Sequence, residues 1–195
     1  MDEDSLIRSA QRGNMDAFNE LVLTHQNRVY NLAYRIMGDP AAASDATQDA
    51  FISAYRHIGT FRGGSFKSWL LRIVANRCYD ELRRHKRRPA TSFEEFGELD
   101  EEANPALING SASPEEEAEQ TELAAFLQEA IATLPPHQRV VLVLSDVEGL
   151  SYTDIADAVD VPVGTVKSRL ARARAYLRDR LQARGELLPA VYRLE

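Results

Sequence analysis

Near the end of this chain lies a group of basic side chains, and side chains of this kind bind anions. Between Thr165 and Arg184 the sequence has seven basic residues and one acid, Asp179. Apolar side chains recur on one helical face of this stretch, and polar or basic ones occupy the other faces: Lys167, Ser168, Arg169, Arg172, Arg174, Arg178 and Arg180. Guanidinium and ammonium groups bind phosphates, and side chains at the start of such a helix can reach base edges in the major groove. The pattern predicts a DNA-reading helix.

A second basic stretch runs from Arg62 to Arg88, with nine basic residues and two acids. Phe61, Phe66 and Trp69 lie at its beginning. Basic charge supplies affinity for phosphates, and aromatic groups beside it can hold an unstacked base. The alternative is that the aromatic and aliphatic side chains are core residues at helical spacing, and we favour this interpretation for Trp69 and Leu70.

The sequence shows no pattern typical of catalysis or of a bound metal. Its four histidines are scattered, without cysteine or carboxylate at ligand spacing. We find neither a nucleophile–base pair nor a phosphate-binding loop, and therefore expect no enzyme activity and no cofactor. Cys78 is the single cysteine, no run of eighteen residues is apolar, and the acidic N-terminus lacks the features of a secretory signal. These features predict a cytoplasmic protein.

The elements that position the basic residues are predicted to be helices throughout. Helical periodicity, caps and breakers place them at Asp4–Arg12, Asn14–Met37, Asp39–Ile58, Ser65–Arg87, Pro114–Thr133, Pro136–Ser145, Ser151–Asp160 and Val163–Arg184. No segment shows a convincing strand pattern. We therefore expect an all-α fold of two small helical domains, with boundaries at 1–88 and 115–184. A linker at 89–114 joins them, and a tail at 185–195 follows.

The formal net charge of −7 is concentrated in the middle of the chain. Residues 89–122 contain eleven acids and no lysine or arginine, whereas 1–88 carry fourteen basic and ten acidic residues, and 123–195 carry nine of each. Residues 89–114 also hold proline, glycine, asparagine and serine without sustained periodicity, which predicts a flexible acidic linker. The acidity of the whole chain is therefore compatible with DNA binding by the domains on either side.

The second domain contains the pattern of a helix-turn-helix, centred on Ser151–Leu181. Ser151 is a predicted N-cap with Asp154 three residues later, close to a capping box. Apolar residues form the inner stripe of the first helix: Ile155, Ala156 and Val159. Val161 and Pro162 break the chain before the basic helix begins. A short helix, a tight turn and a basic helix in this order predict recognition of the major groove.

The motifs of the two domains, taken in their order along the chain, resemble those of a known family, the bacterial sigma factors of RNA polymerase. In the first domain the resemblance rests on Asp45–Phe51 (DATQDAF), Phe61–Phe66 (FRGGSF), Trp69–Asn76 (WLLRIVAN) and Asp80–Arg84 (DELRR). In the second domain it rests on Leu134–Arg139 (LPPHQR), Glu148–Ala156 (EGLSYTDIA) and Val163–Arg169 (VGTVKSR). Two domains with only a linker between them resemble the extracytoplasmic-function group.

The resemblance implies three binding surfaces. The outward face of the helix Asp39–Ile58 would dock on the clamp helices of core RNA polymerase, through Asp45, Gln48, Asp49 and Ile52. The surface for the −10 element would comprise Phe61, Gly63, Gly64, Ser65 and Asn76 around a flipped base, with Arg83, Arg84 and Arg87 on phosphates. The surface for the −35 element would comprise Thr165, Lys167, Ser168, Arg169 and Arg172. Ala171 stands where relatives carry a bulkier group.

The function implied by the resemblance is promoter-specific initiation of transcription. The partners implied are core RNA polymerase, promoter DNA and an anti-sigma factor, often membrane-linked and sometimes zinc-containing. One alternative is a helix-turn-helix regulator that binds DNA without polymerase, which would leave the Asp45–Phe51 match unexplained. Another is a sigma-like decoy for an anti-sigma factor, which would not need to keep Lys167, Arg169 and Arg172.

Overall fold

A computed structural model describes residues 2–87 and 114–184, with side chains described for 2–84 and 121–184. Every regular element in these ranges is helical, which confirms the all-α prediction. The first domain consists of α1 (Glu3–Gln11), α2 (Met15–Met37), α3 (Pro40–His57) and α4 (Phe66–Arg87), with a 3₁₀ turn at Ile58–Thr60. The second consists of α5 (Pro114–Thr133), α6 (Pro136–Leu142), α7 (Tyr152–Val159) and α8 (Val163–Gln182). The predicted linker and tail lie outside the described residues, except for Pro114 at the start of α5.

Local sequence signals set the ends of the helices in the first domain. Gly38 ends α2 in a left-handed conformation with φ of +77°, which glycine adopts without a steric penalty. The carboxylate of Asp39 then accepts the Ala42 N–H at 2.6 Å, and Pro40 occupies the first turn of α3. Because these caps act within a few residues, the boundary between Met37 and Asp39 could be predicted from the sequence, and the structure confirms it.

The core of the first domain forms where α2, α3 and α4 meet. Long aliphatic side chains of α2 and α4 fill it: Leu21, Leu32, Ile36, Leu70, Leu71 and Val74. From α3 it receives mainly alanines, including Ala43, Ala50 and Ala54. Small side chains let α3 approach its neighbours closely, so the polar side chains on the opposite side of α3 are left facing outward.

The helix-turn-helix consists of α7 and α8. The Ser151 hydroxyl accepts the Asp154 N–H at 3.1 Å and donates to the Asp154 carboxylate at 2.7 Å. The inner faces are buried, as predicted: Ile155, Ala156 and Val159 on α7, and Val166, Leu170 and Ala173 on α8. Asp160 ends α7 with φ of +49°, in the left-handed region. The tight turn that follows brings the basic helix across its partner.

One helix departs from its predicted extent. The sequence predicts a helix to Ser145, whereas α6 ends at Leu142 and continues as a π-helical segment at Val143–Val147. The Glu148 N–H donates to the Val143 carbonyl at 3.1 Å, five residues back. The wider turn keeps Val143 buried and directs Asp146 to the side of α8. Helical periodicity alone does not reveal this change of pitch.

The two domains pack against each other through a continuous hydrophobic cluster. Helix α4 contacts α6 and α7, and α2 contacts α5 and α6. The buried Arg139 of α6 bridges the domains, because its Nη1 donates to the Ile36 carbonyl at the end of α2 at 2.6 Å. Its Nη2 donates to the carbonyls of Ala132 and Leu134. Burial lowers the pKa of Arg139, and these carbonyls compensate the desolvated charge. We call this packed state the closed arrangement.

Within the described ranges, no helix has the length and apolar character needed to cross a membrane.

Candidate nucleic-acid interface

The first domain carries an open cleft of about 460 Å³ where the loop after α3 meets the beginning of α4. The cleft is lined by Thr60, Phe61, Arg62, Gly63, Gly64, Ser65, Ser68, Trp69, Arg72 and, from the second domain, Asp154. Its wall therefore combines an aromatic ring, exposed backbone, hydroxyl groups and guanidinium groups. These are the groups that hold an unstacked base and its phosphate.

Two glycines give the loop its shape. Gly63 has φ of +100° and Gly64 has φ of +86°, a conformation in which a side chain is strained even though the space beside each is open. The loop ends at Ser65, whose hydroxyl accepts the Ser68 N–H at 3.1 Å and caps α4. A ligand in the cleft can approach the backbone closely here, since Gly63 and Gly64 present bare main chain to it.

The aromatic residues belong both to the core and to the cleft. Phe61 is only 8% exposed, and its ring centroid lies 5.6 Å from those of Phe66 and Trp69. Leu70 is buried, which confirms the core interpretation for that residue. Trp69 is half-buried, packs on the core and also lines the cleft, so the core interpretation describes only part of it.

Gln11 of α1 supports the loop, a role that the sequence analysis missed. Its side-chain amide donates to the Ile58 carbonyl at 3.0 Å and to the Phe61 carbonyl at 2.9 Å. These carbonyls precede the glycines by two to six residues, so one side chain fixes the loop where it leaves the 3₁₀ turn. A polar residue at the end of an amphipathic helix gives no sequence signal for a contact about fifty residues away.

Replacing Gln11 with leucine is expected to lower the free energy of unfolding by about 1–2 kcal/mol, because the Ile58 and Phe61 carbonyls each lose one hydrogen bond, and Ile58 keeps only the one from the Phe61 N–H. Urea denaturation followed by circular dichroism measures the change. Gln26→Leu, an exposed position on α2, is the matched control. Equal losses for both variants would show that the amide bridge contributes nothing.

The predicted −10 residues beyond the loop lie on α4 and do not all share one face. Asn76 is exposed one turn after Arg72, on the stripe that begins with Trp69, and lies outside the cleft lining. Arg83 continues this stripe, with its guanidinium 5.5 Å from the Tyr79 ring centroid. Arg84 instead pairs with Glu81 at 3.0 Å on the side facing α3. The side chain of Arg87 lies outside the described residues.

The outward face of α3 is exposed as predicted, at Asp45, Gln48, Asp49 and Ile52. Ile52 is 43% exposed, which is high for a large aliphatic side chain. Asp49 pairs with Arg77 of α4 at 2.9 Å, and a shallow cleft lined by both helices contains Asp45, Gln48 and Arg84. The exposed face of α3 is therefore continuous with a polar surface of α4 that includes Arg77 and Arg84.

The predicted −35 residues lie together at the beginning of α8. Lys167, Ser168 and Arg172 are exposed, whereas Thr165 and Arg169 are half-buried. The Ser168 hydroxyl donates to the Thr165 carbonyl at 3.0 Å. This end of α8 carries basic charge at the open N-terminus of a helix, where the dipole also favours an anion.

One arginine of the basic helix connects two elements of the second domain. Arg174 makes two hydrogen bonds to the Asp146 carboxylate, at 2.9 and 2.6 Å. Burial opposes ionisation of Asp146, but hydrogen bonds from Arg174 and Ser145 outweigh it and hold the pKa of Asp146 below its ordinary value. The same contact raises the pKa of Arg174. Arg174 is thus a structural residue that ties α8 to the π-helical segment.

Comparisons with known proteins agree with this geometry. Sigma-70 region 2 matches residues 21–88, and sigma-70 region 4 matches residues 127–177. Over 92% of its length the chain is 38% identical to the RNA polymerase sigma-H factor of Pseudomonas aeruginosa, of which it covers 94%. Over 91% of its length it is 36% identical to the ECF RNA polymerase sigma-E factor of Escherichia coli, of which it covers 93%. The solved structure of the sigma factor RpoE of Bartonella quintana, in complex with the anti-sigma factor NepR, is also similar. The match covers 85% of this chain and 96% of the RpoE chain, with a TM-score of 0.59 and 25% sequence identity.

A helix-turn-helix joined to a second helical domain with a basic cleft defines a two-domain transcription factor. The chain belongs to the extracytoplasmic-function group of RNA polymerase sigma factors. As a sigma factor it binds core RNA polymerase and directs it to promoter DNA. The matches to both regions do not favour a regulator that acts without polymerase or a decoy.

Proposed function

We propose that the cleft and the stripe of α4 that extends from it open the promoter, while α8 reads the upstream element. The observation that carries this proposal is the cleft itself, where left-handed glycines, Trp69 and Arg72 meet beside an exposed helical stripe. The same chain presents a helix-turn-helix for duplex DNA. One surface suits an unstacked base and the other suits a major groove.

The opening step needs binding energy and no covalent chemistry from this chain. Unstacking a base costs a few kcal/mol. A cleft that holds the base only after it leaves the duplex offsets this cost and shifts the population toward melted DNA. Phe61, Gly63, Gly64 and Ser65 would form the walls, and the Asn76 amide would read a base edge. Arg83 and Arg87 would hold phosphates along the helix, and polymerase supplies the catalytic site.

The position of Arg84 makes it a weaker candidate for phosphate binding than the sequence suggests. Because it pairs with Glu81 and borders Asp45 and Gln48, its guanidinium faces the α3 side. A phosphate contact from Arg84 would require it to leave this position. We therefore propose Arg83 and Arg87 as the stronger phosphate ligands upstream of the cleft.

The exposed face of α3 would dock on core polymerase. Two acids, an amide and an exposed isoleucine suit a basic partner helix, since charge complementarity steers the encounter and the apolar group is buried on contact. The residues proposed for this contact are Asp45, Gln48, Asp49 and Ile52.

The start of α8 would read the −35 element through Thr165, Lys167, Ser168, Arg169 and Arg172. Arg169→Ala is expected to reduce discrimination between a matched and a mismatched −35 sequence by about tenfold, because a good base contact contributes about 1–3 kcal/mol. Competition binding of the polymerase complex to paired promoter fragments measures the ratio. Arg178→Ala, further along α8, should leave it unchanged. An unaltered ratio for Arg169→Ala would remove this residue from base readout.

The two DNA elements lie about two helical turns apart, roughly 70 Å. In the closed arrangement α7 packs on α4, so the domains must separate before both elements are bound. The 26 residues between α4 and α5, 88–113, could span roughly 85–94 Å if extended, which is sufficient. Their acidity suits polymerase channels that are basic because they hold nucleic acid, and DNA would repel the segment from the binding surfaces.

Regulation by an anti-sigma factor is proposed by analogy with the Bartonella quintana protein, which was solved with such a partner. That partner could be membrane-linked or contain zinc. We propose the cytoplasm as the place of action, since core polymerase and the chromosome are there. We also propose that the chain has no enzyme activity of its own.

The test of this function is co-purification of the full chain with core RNA polymerase. The proposal predicts a stable complex that binds promoter fragments more tightly than either component does. DNA binding by the chain with no retention on polymerase would support the regulator that acts alone. Retention on an anti-sigma factor with no binding to polymerase or DNA would support the decoy.

A further inference from the structure

An ion-pair cluster at the junction of the domains has no part in the surfaces described above. The Glu148 carboxylate of the second domain lies between two basic residues of the first. Its Oε2 is 2.8 Å from the Arg28 Nε of α2 and 4.0 Å from the Lys67 Nζ of α4. The side chain of Glu148 is only 6% exposed, whereas those of Arg28 and Lys67 are 50% and 33% exposed. A nearly buried anion is thus held by two cations that are both more exposed than it is.

The cluster lies beside the cleft. Lys67 is in the first turn of α4, between Ser65 and Ser68, which both line the cleft. A second carboxylate of the same domain, Asp154, also lines the cleft. The closed arrangement therefore places two carboxylates, Glu148 and Asp154, against the basic surface where a DNA strand would lie.

Carboxylate and phosphate oxygens are bound by the same donors, because both are anionic acceptors that guanidinium and ammonium groups bind. We infer that Arg28 and Lys67 form a binding site for a backbone phosphate of single-stranded promoter DNA, and that Glu148 occupies this site in the closed arrangement. Separation of the domains withdraws Glu148 and frees the site. The inference rests on the proposed function only in taking the cleft as the path of the DNA strand.

The consequence is competition between the second domain and DNA. A strand that enters the cleft gains the Arg28–Lys67 site only after Glu148 leaves, so strand binding and opening of the domains favour each other. Asp154 acts in the same direction, since its charge repels a phosphate near the cleft. The closed chain is thereby a weaker binder of single strands than its open form.

The experiment measures binding of the full chain to a fluorescent oligothymidylate of about 12 nucleotides, by anisotropy across a salt titration. Glu148→Gln is expected to bind roughly threefold to fivefold more tightly than the unmodified chain, because an anion that competes with DNA has been neutralised. Adding Arg28→Gln and Lys67→Gln to that variant should reduce the slope of log K against log salt by about 0.7, the loss of one phosphate contact on a single strand.

The matched control adds Arg8→Gln and Arg12→Gln to the Glu148→Gln variant, because both are exposed arginines at α1 and their replacement removes the same two positive charges. It should leave the slope unchanged. Equal affinity for Glu148→Gln and the unmodified chain would overturn the competition. The phosphate site would be overturned if replacing Arg28 and Lys67 left the slope unchanged, or if replacing Arg8 and Arg12 lowered it equally. Both failures leave co-purification with polymerase intact, whereas failure of the proposed function abolishes it.

Discussion

Reversing the charges of Asp45 and Asp49 to lysine is expected to weaken association with core RNA polymerase about 100-fold, or about 2.7 kcal/mol. Both carboxylates are exposed on the outward face of α3, one helical turn apart. Placing like charges across an interface costs several kcal/mol, so two reversals against a basic partner helix have a large effect. The affinity can be measured by surface-immobilised polymerase at physiological ionic strength.

The fold should tolerate these reversals. Asp45 is exposed, and the Asp49–Arg77 ion pair has both side chains about half in solvent, so its loss costs at most about 1 kcal/mol. The matched control is Asp16→Lys with Glu20→Lys, two exposed acids of α2 with the same spacing and the same change of charge. If control and test variants lose affinity equally, the effect belongs to net charge and α3 is not the docking face.

Asn76→Ala is expected to reduce promoter opening about tenfold to 100-fold while leaving polymerase binding nearly unchanged. An amide that makes paired hydrogen bonds to a base edge contributes about 1–3 kcal/mol, and here the contact exists only after the base is unstacked. The substitution therefore acts on the melted state selectively. Alanine also has higher helix propensity than asparagine, so an exposed site on α4 should not lose stability.

Permanganate reactivity of unpaired thymines reports opening, and a parallel binding assay reports polymerase affinity. Asn27→Ala, an exposed position on α2, provides the matched control for loss of an amide. If opening and polymerase binding fall together in Asn76→Ala, the side chain has no selective role in capturing a base. If neither changes, base recognition is confined to the cleft around Trp69 and Arg72.

Much of the fold could be predicted because its signals are local. Asp39 and Pro40 start α3 through contacts within three residues, and Gly38 ends α2 through its own backbone freedom. The outward face of α3 follows from helical spacing, since alanines on one side leave Asp45 and Asp49 on the other. The helix-turn-helix was predicted for the same reason.

The features that sequence reasoning missed depend on contacts between distant residues. Gln11 supports a loop about fifty residues away, and Arg139 bonds the Ile36 carbonyl across 103 positions. Neither contact has a periodicity or spacing that a sequence displays. Asp154 illustrates the same limit, because its cap at the start of α7 is evident whereas its place beside the cleft depends on how the domains pack.

The most direct test of the whole account is reconstituted transcription on genomic DNA fragments with core RNA polymerase and this chain, followed by sequencing of the RNA 5′ ends. If this chain reads both promoter elements, the RNA 5′ ends will define a new set of start sites preceded by two shared sequence elements about two helical turns apart. Arg169→Ala should redistribute these sites, and Asn76→Ala should reduce the yield of RNA at all of them. Start sites identical to those of core polymerase alone would contradict the account.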